Sequence, residues 1–387
     1  MQTKPIKLHI GEAVLVAQAA PDVRGWGYCQ FPNVERLGDG RLHVWYHFAE
    51  DSATAYGGGK RFAVSEDEGA SYHSVAERPL LGGIVLANGD RIREKHLPSV
   101  PNEEMNYPEP VLTYISYGKA HPMYDGRDFP PALCGFPIER LAKGDDQWRT
   151  EIKHVNIPGL LRYTASGVFP HQMLWRMRLT PDGRLFGLAY PYMRGTDGKP
   201  HTEPVFIVSD DMGKTFTFLS KIAYCPLPQC DAIWEQHDSF TEPDIAFMPD
   251  GSILCVFRTE NGIQTGHAPS CFCRSTNGGA TWSDPQYYDH LGVWPTLLTL
   301  KCGVTLCCYG RPGLFIRATD DSSGVSWNER ETILPISDVS KGLLDTCSYG
   351  DLLALGDDTA LLVYSDFNYP DENGVPVKSI LARRIAL

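Results

Sequence analysis

Several side chains capable of chemistry stand at matching distances from residues that read as tight turns. Glu242 lies nine residues before Gly251, and Tyr349 lies nine before Asp358. Arg258 lies seven residues after Gly251, and His47 lies seven after Gly40. Tyr190 and Asp366 hold similar offsets after Gly183 and Asp358, and a further arginine, Arg311, sits in Tyr309-Gly-Arg311-Pro-Gly. Carboxylates exchange protons, and guanidinium groups grip carboxylates through two parallel hydrogen bonds. Such groups act together only if separate elements carry them to one place.

Those elements are visible as repeats. Ser65-Glu-Asp67-Glu-Gly69-Ala-Ser-Tyr72 returns as Ser209-Asp-Asp211-Met-Gly213-Lys-Thr-Phe216 and as Ser275-Thr-Asn277-Gly-Gly279-Ala-Thr-Trp282. A degenerate copy runs Asp320-Asp-Ser322-Ser-Gly324-Val-Ser-Trp327. The pattern is that of the Asp box. Its acid or amide can accept nearby backbone N–H groups, its Gly takes positive φ without steric cost, and its aromatic packs back on a sheet. A phrase recurring at tens of residues predicts a repeat architecture.

A second repeat interleaves with the first. Leu37-Gly-Asp-Gly40, Thr180-Pro-Asp-Gly183 and Met248-Pro-Asp-Gly251, with weaker copies at Leu300-Lys-Cys-Gly303 and Leu355-Gly-Asp-Asp358, each read as strand, tight turn, strand. Together the repeats predict units near 28–75, 170–220, 240–285, 292–330 and 346–387, with a sixth over 105–155. The expectation is an all-β chain, a six-bladed β-propeller of four-stranded antiparallel blades forming a single domain over 1–387. Ile6–Ile10 alternates and is expected to close the last blade. Segments 80–104 and 120–140 read as long loops over one face.

Bulk properties agree with a globular chain. Of 387 residues, 42% are hydrophobic and 21% charged, which is enough apolar material for a core. Gly 37 and Pro 29 suit many short strands and turns. A net charge of −12 with no basic run argues against nucleic acid as the main partner. No apolar run is long enough for a membrane span, and the first residues lack a signal-peptide core, so the expected place is the cytoplasm, or outside it for a chain trimmed of its leader. Eleven Cys lack zinc-site spacing and read as reduced thiols. No cofactor or metal is expected, and the sequence does not speak to oligomeric state.

With these motifs in place, nearly the whole chain resembles the sialidase (neuraminidase) superfamily. In Phe240-Thr-Glu242-Pro-Asp and Val256-Phe-Arg258-Thr-Glu260, Glu242 and Arg258 look like the family's catalytic glutamate and one arginine of its carboxylate-binding triad. Arg311 has the spacing of another triad arginine, and Tyr349-Gly-Asp351-Leu resembles the segment bearing the nucleophilic tyrosine. The resemblance implies an exo-acting glycoside hydrolase that takes a carboxylated sugar. Its anomeric carbon carries an anion, so a neutral phenol activated by Glu242 suits attack better than a carboxylate; sialidases are exceptions to the two-carboxylate rule.

The chain also departs from the family pattern. Where the family's first blade has Arg-Ile-Pro, this sequence has Gln30-Phe31-Pro32, a contact without charge. Losing that arginine removes a charge-assisted bond worth roughly 1.5–3 kcal/mol. Asp51, in Ala49-Glu-Asp51-Ser, falls about where the family places its general acid; His47 is the other candidate for that role. Asp366 and Tyr190 are expected at the rim as substrate contacts. His171 and His237-Asp238 fall just before inner strands, Trp26 and Trp294 read as packing residues that can also stack on a sugar, and Gly57-Gly-Gly59-Lys60 reads as a flexible hairpin. The histidines and Gln30 leave a polysaccharide lyase or uronate-linked rhamnosidase open, and a non-catalytic glycan-binding propeller is the other alternative.

Overall fold

The computed structural model describes residues 6–55, 58–116, 119–226, 237–261, 269–336 and 349–387. Its elements are almost all strands, with three single-turn helices among the described residues. The Leu37–Gly40 turn joins Tyr28–Arg36 to Leu42–Phe48, and Lys60–Ser65 and His73–Val75 complete a first antiparallel sheet. A third sheet (Arg176–Leu179 to Thr217–Lys221), a fourth (His237–Phe247 to Gln286–Asp289) and a fifth (Val293–Thr299 to Glu331–Leu334) repeat that up-and-down order. The turn glycines Gly40, Gly183, Gly251 and Gly303 all have φ between 83° and 92°, where a side chain would be strained. In the last sheet, Gly350–Ala354, Thr359–Pro370 and Pro376–Ala386 are joined by His9–Ile10 and Val14–Gln18, so the start of the chain completes the sheet at its end.

The Ser-x-Asp phrases link third and fourth strands, and three of them share one hydrogen-bond pattern. Ser65 Oγ donates to Asp67 at 2.8 Å and accepts the Gly69 amide, while Asp67 accepts the Ser71 amide at 2.9 Å. Ser209, Asp211, Gly213 and Thr215 repeat it, as do Ser275, Asn277, Gly279 and Thr281. The aromatic at the end of the phrase packs back, with Trp282 stacked on Phe206 at 4.5 Å.

The second sheet departs from the sequence expectation. Its strands are Ile84–Val85, Arg91–Glu94, Phe136–Leu141 and Arg149–Lys153. The unit expected over 105–155 therefore begins near 84, and 80–104 is not a plain loop. The cause is an insertion after Glu94. The hairpin Leu112–Ser116 and Lys119–Asp125, which Leu161–Tyr163 joins later in the chain, and the helical turns at Gly126–Asp128 and Pro131–Cys134 separate strands that pair with one another. That insertion pushed the strand signals out of the spacing seen elsewhere.

Apolar side chains fill the spaces between sheets. Ile92 and Ile138 meet Leu185 and Ile207; Phe186 and Phe206 meet Phe240 and Phe257; Leu254 and Val256 meet Leu297 and Tyr309. The fifth sheet packs on the last through Leu306, Ile316 and Leu362, and the last packs on the first through Val363, Ile380 and Val44. Each such Leu or Ile contributes about 1.5–3 kcal/mol by leaving water. Buried acids tie the first strands together at one end. Asp351 accepts the Val34 amide at 3.0 Å and Arg176 at 3.0 Å; Asp244 accepts Arg178 at 2.7 Å and the Leu297 amide at 2.9 Å; Glu94 accepts the Met177 amide at 2.6 Å.

Asp244 has no solvent exposure. Its replacement by Ala strands Arg178 and an amide without their acceptor, so urea denaturation of Asp244→Ala should show a loss of about 3–5 kcal/mol. A loss under about 0.5 kcal/mol, typical of a surface change, contradicts the tethering role.

Candidate active site

Three first strands carry the same irregularity. The pairing register slips at Phe31-Pro32, at Glu242-Pro243 and at Trp294-Pro295. In each, the residue before proline is left-handed, with φ of 52°, 52° and 57°. A bulge of this kind re-aims a side chain, and a left-handed non-glycine residue costs about 1–3 kcal/mol. Cys29 and Arg311 are also left-handed, so five of the eight such residues among those described lie at one place. Strain concentrated there marks it as the site to examine.

Tyr349, just before the strand Gly350–Ala354, is packed by rings from three directions. Phe31 lies at 4.5 Å, Trp294 at 5.0 Å and Trp26 at 6.0 Å between centroids. Trp175 adjoins Trp294 at 4.4 Å, and Tyr190 adjoins Trp175 at 5.1 Å. The Arg311 guanidinium lies 5.0 Å from the Trp26 ring centre and donates to the Tyr349 hydroxyl. Glu242 accepts Arg258 at 3.2 Å and the Trp294 amide at 2.8 Å. Trp26 Nε1 donates to Asp51 at 3.1 Å, and the Asp51 amide donates to the Trp26 carbonyl at 3.3 Å. Gly27, at φ 99°, makes that approach possible, since a Cβ there would stand 2.2 Å from the Ala49 carbonyl oxygen. His47 is held by its Nδ1 against the Gly27 carbonyl at 2.9 Å, and its ring lies 5.9 Å from Phe31.

The electrostatics follow from burial. Tyr349 is pushed well above the ordinary phenol range by desolvation; Arg311 pulls it down, Glu242 pushes it up, and Arg258 and Asp51 act more weakly in opposite senses. One phenol thus feels both arginines and both acids. Desolvation also raises Asp51, against the indole N–H of Trp26 and the charges of His47 and Arg311. Such a carboxyl holds its proton to higher pH than a surface aspartate does. Four buried donors nearby have no protein partner: Arg311 Nε, Gln30 Nε2, Trp175 Nε1 and Trp294 Nε1.

Of the residues singled out by sequence, Tyr349, Glu242, Arg258, Arg311, Asp51 and His47 converge. Glu242 bonds to Arg258 and Trp294, and Tyr349 to Arg311, so the described bonds do not couple that acid directly to the phenol. Gln30 is fully buried below them, with Oε1 bonded to the Gly27 amide. Tyr190 reaches the cluster through Trp175. Asp366 accepts the Asn368 amide at 2.9 Å and is raised by burial, with Arg383 opposing; these contacts are not shared with Tyr349. His171 lies in the field of Arg162, and burial lowers its basicity. The side chains of His237 and Asp238 fall outside the described residues, as does Gly57, while Lys60 opens a regular strand. Sequence reading missed Phe31 and Trp175, and it read Trp294 as packing first. The signal was the recurring residue-proline step at the head of three first strands. Nine described cysteines are free, and no metal-ligating cluster occurs among the described residues.

No protein-family model matches the sequence, and no curated protein matches it either. Solved structures do match in fold. A protein of unknown function from Dyadobacter fermentans is 18% identical with a TM-score of 0.67, over 98% of this chain and 99% of that one. The NanB sialidase from Streptococcus pneumoniae is 12% identical with a TM-score of 0.56, over 96% of this chain and 70% of that one. An α-L-arabinofuranosidase from Fusarium graminearum is 12% identical with a TM-score of 0.51, over 97% of both. The chain therefore has a sialidase-like, all-β fold of the kind found in propeller glycosidases.

The weakened acidity of the Tyr349 phenol has a direct optical consequence. The Tyr349→Phe protein, subtracted from the parent at pH about 10, where an ordinary tyrosine is half ionised, should show no lost phenolate absorbance. Half a phenolate's worth of difference or more at that pH contradicts the burial argument.

Proposed function

We propose that the chain is a glycoside hydrolase acting from the chain end on a carboxylated sugar, with Tyr349 as nucleophile. The supporting observation is the phenol that feels two guanidinium groups and two acids within one ring of aromatics. In this reading residues 1–387 form a single propeller whose six main sheets are its blades and whose Ser-x-Asp turns are Asp boxes. The sialidase and arabinofuranosidase structures of similar fold favour glycoside chemistry over a scaffold role.

The substrate carboxylate is taken by Arg311 and Arg258, with Gln30 Nε2 as a neutral third donor. Accepting it moves Arg311 off the phenol and Arg258 off Glu242. Tyr349 Oη then attacks the anomeric carbon while its proton passes to Glu242, and the glycosidic bond breaks onto the leaving oxygen. Asp51, whose hold on its proton burial strengthens, supplies that oxygen with its proton, with His47 beside it. Water next attacks the glycosyl-tyrosine, giving its proton to Asp51; the electron pair returns to the phenol oxygen, which recovers its proton from Glu242. Tyr190 and the faces of Trp26 and Trp294 line the sugar, and Asp366 is a more distant rim contact.

A second reading rests on the imidazoles. His96, whose basicity burial pushes down to about 3, stays neutral beside His47, and His47 is the imidazole left to abstract a proton next to a uronate carboxyl. A product absorbing in the ultraviolet as a 4,5-unsaturated uronate identifies the lyase, and its absence during turnover of aryl sialosides or aryl uronides identifies the hydrolase.

Tyr349→Phe should lower turnover of the active aryl glycoside by about a thousandfold or more with the fold intact; unchanged turnover refutes the role. Turnover that needs protonated Asp51 falls as pH rises through its raised pKa. Asp51→Asn should lower the rate by about a hundredfold or more and remove that alkaline limb; a limb that persists assigns it to another group. Arg311→Ala should weaken an acidic ligand by about 1.5–3 kcal/mol and a neutral analogue far less, and equal losses remove the clamp.

A further inference from the structure

Apolar clusters seal the packed sheet pairs described above, but the boundary between the first and second sheets is filled by charge. Glu35 on the first sheet accepts the Gly83 amide and faces His43 at 2.8 Å and Arg78 at 3.5 Å. Arg93 and Lys95 share Glu139 at 2.6 and 2.7 Å. Glu94 is tied to the Met177 amide. The acids here are thus already engaged, while Arg78 Nε and Arg93 Nη1 are buried without a partner. Lys60 stands in the same field of Arg78, Lys95 and Arg93, with Glu94 as the opposing charge. Among the described residues its Nζ has no hydrogen-bonding or salt-bridging partner.

Lys60 also adjoins the Tyr349 pocket. It is paired directly with His47 across neighbouring antiparallel strands, so both side chains leave the same face of the sheet. His47 lies against Phe31, Phe31 against Tyr349, and the charge of His47 acts on Asp51. Lys60 is therefore on the side of the pocket where the leaving group takes its proton. His96 lies in the fields of both Lys60 and His47, and the carbonyl of Leu174, the residue before Trp175, opposes the fall in its basicity.

We propose that Lys60, with His96 beside it, binds an anionic group on the leaving side of the scissile bond, so that the substrate is an oligosaccharide acidic on both sides of that bond, its leaving sugar bearing a carboxylate or a sulfate ester. The inference rests on the Tyr349 pocket holding the sugar that is released. Desolvation and the neighbouring cations push Lys60 down to about 8, a cost that a bound anion relieves. His96 stays neutral, and a neutral imidazole has one nitrogen that can accept a sugar hydroxyl.

The test uses the full chain and two probes, sodium sulfate and sodium D-glucuronate, at constant ionic strength. Pulsed acetic anhydride labelling read by mass spectrometry reports on Lys60, with the exposed Lys301 as internal control. Either probe should slow acetylation of Lys60 but not of Lys301, with the same protection in Tyr349→Phe and in Arg311→Met. By fluorescence titration, Lys60→Met should weaken the protecting anion about tenfold or more, and Lys60→Arg should restore most of it. No protection by either anion, protection lost in Arg311→Met, or equal affinity in Lys60→Met overturns the proposal. Because these readouts need no turnover, Lys60 protection in a chain that cleaves no glycoside keeps the anion site and removes the hydrolase reading.

Discussion

Two short segments do both structural and chemical duty, and the rest of the site depends on them. In Glu242-Pro-Asp244 and Tyr349-Gly-Asp351 the aspartate is locked to neighbouring sheets, through Arg178 and the Leu297 amide in one case and through Arg176 and the Val34 amide in the other. Two residues earlier the same strand presents the acid or the phenol. The buried ion pairs fix the positions of the first strands, and those positions fix the distance between Glu242 and Tyr349. Breaking such a pair is costly because the remaining charge stays buried, so the geometry of the site is insured by the stability of the fold.

The bulges add direction to that position. A regular strand alternates its side chains and would turn Phe31, Glu242 or Trp294 away at this point. The extra residue and the left-handed φ at each bring them round to one cluster. The strain is tolerated because Glu242 and Trp294 are themselves fixed, the carboxylate of one accepting the amide of the other. Arg311, left-handed as well, ends at the phenol oxygen. The result is a buried cluster rich in unpartnered donors and aromatic faces.

Much of the framework was legible in sequence. The Ser-x-Asp phrases and the Asp-Gly turns use residues whose backbone geometry or side-chain bonding is local, so each copy reads the same wherever it falls. The second sheet was misplaced because an insertion separates Arg91–Glu94 from Phe136–Leu141, and strand pairing across such a gap leaves no local trace. Glu242, Arg258, Arg311 and Tyr349 were legible through their offsets and the family resemblance. Trp175, Phe31 and the Lys60–His96 cluster were not, since their meaning comes from which sheets touch, and large aromatics and lysines are common in packing and on surfaces. The recurring residue-proline step was present in the sequence as a signal of the bulges.

The central claim is that one sugar carboxylate and one anomeric carbon fit between groups drawn from sheets far apart in sequence. A crystal structure of the Tyr349→Phe protein with an acidic aryl glycoside tests it most directly. The account predicts the carboxylate bound by Arg258 and Arg311, with the anomeric carbon about 3–3.5 Å from where the phenol oxygen stood. A carboxylate bound away from both arginines, or an anomeric carbon facing away from residue 349, contradicts it.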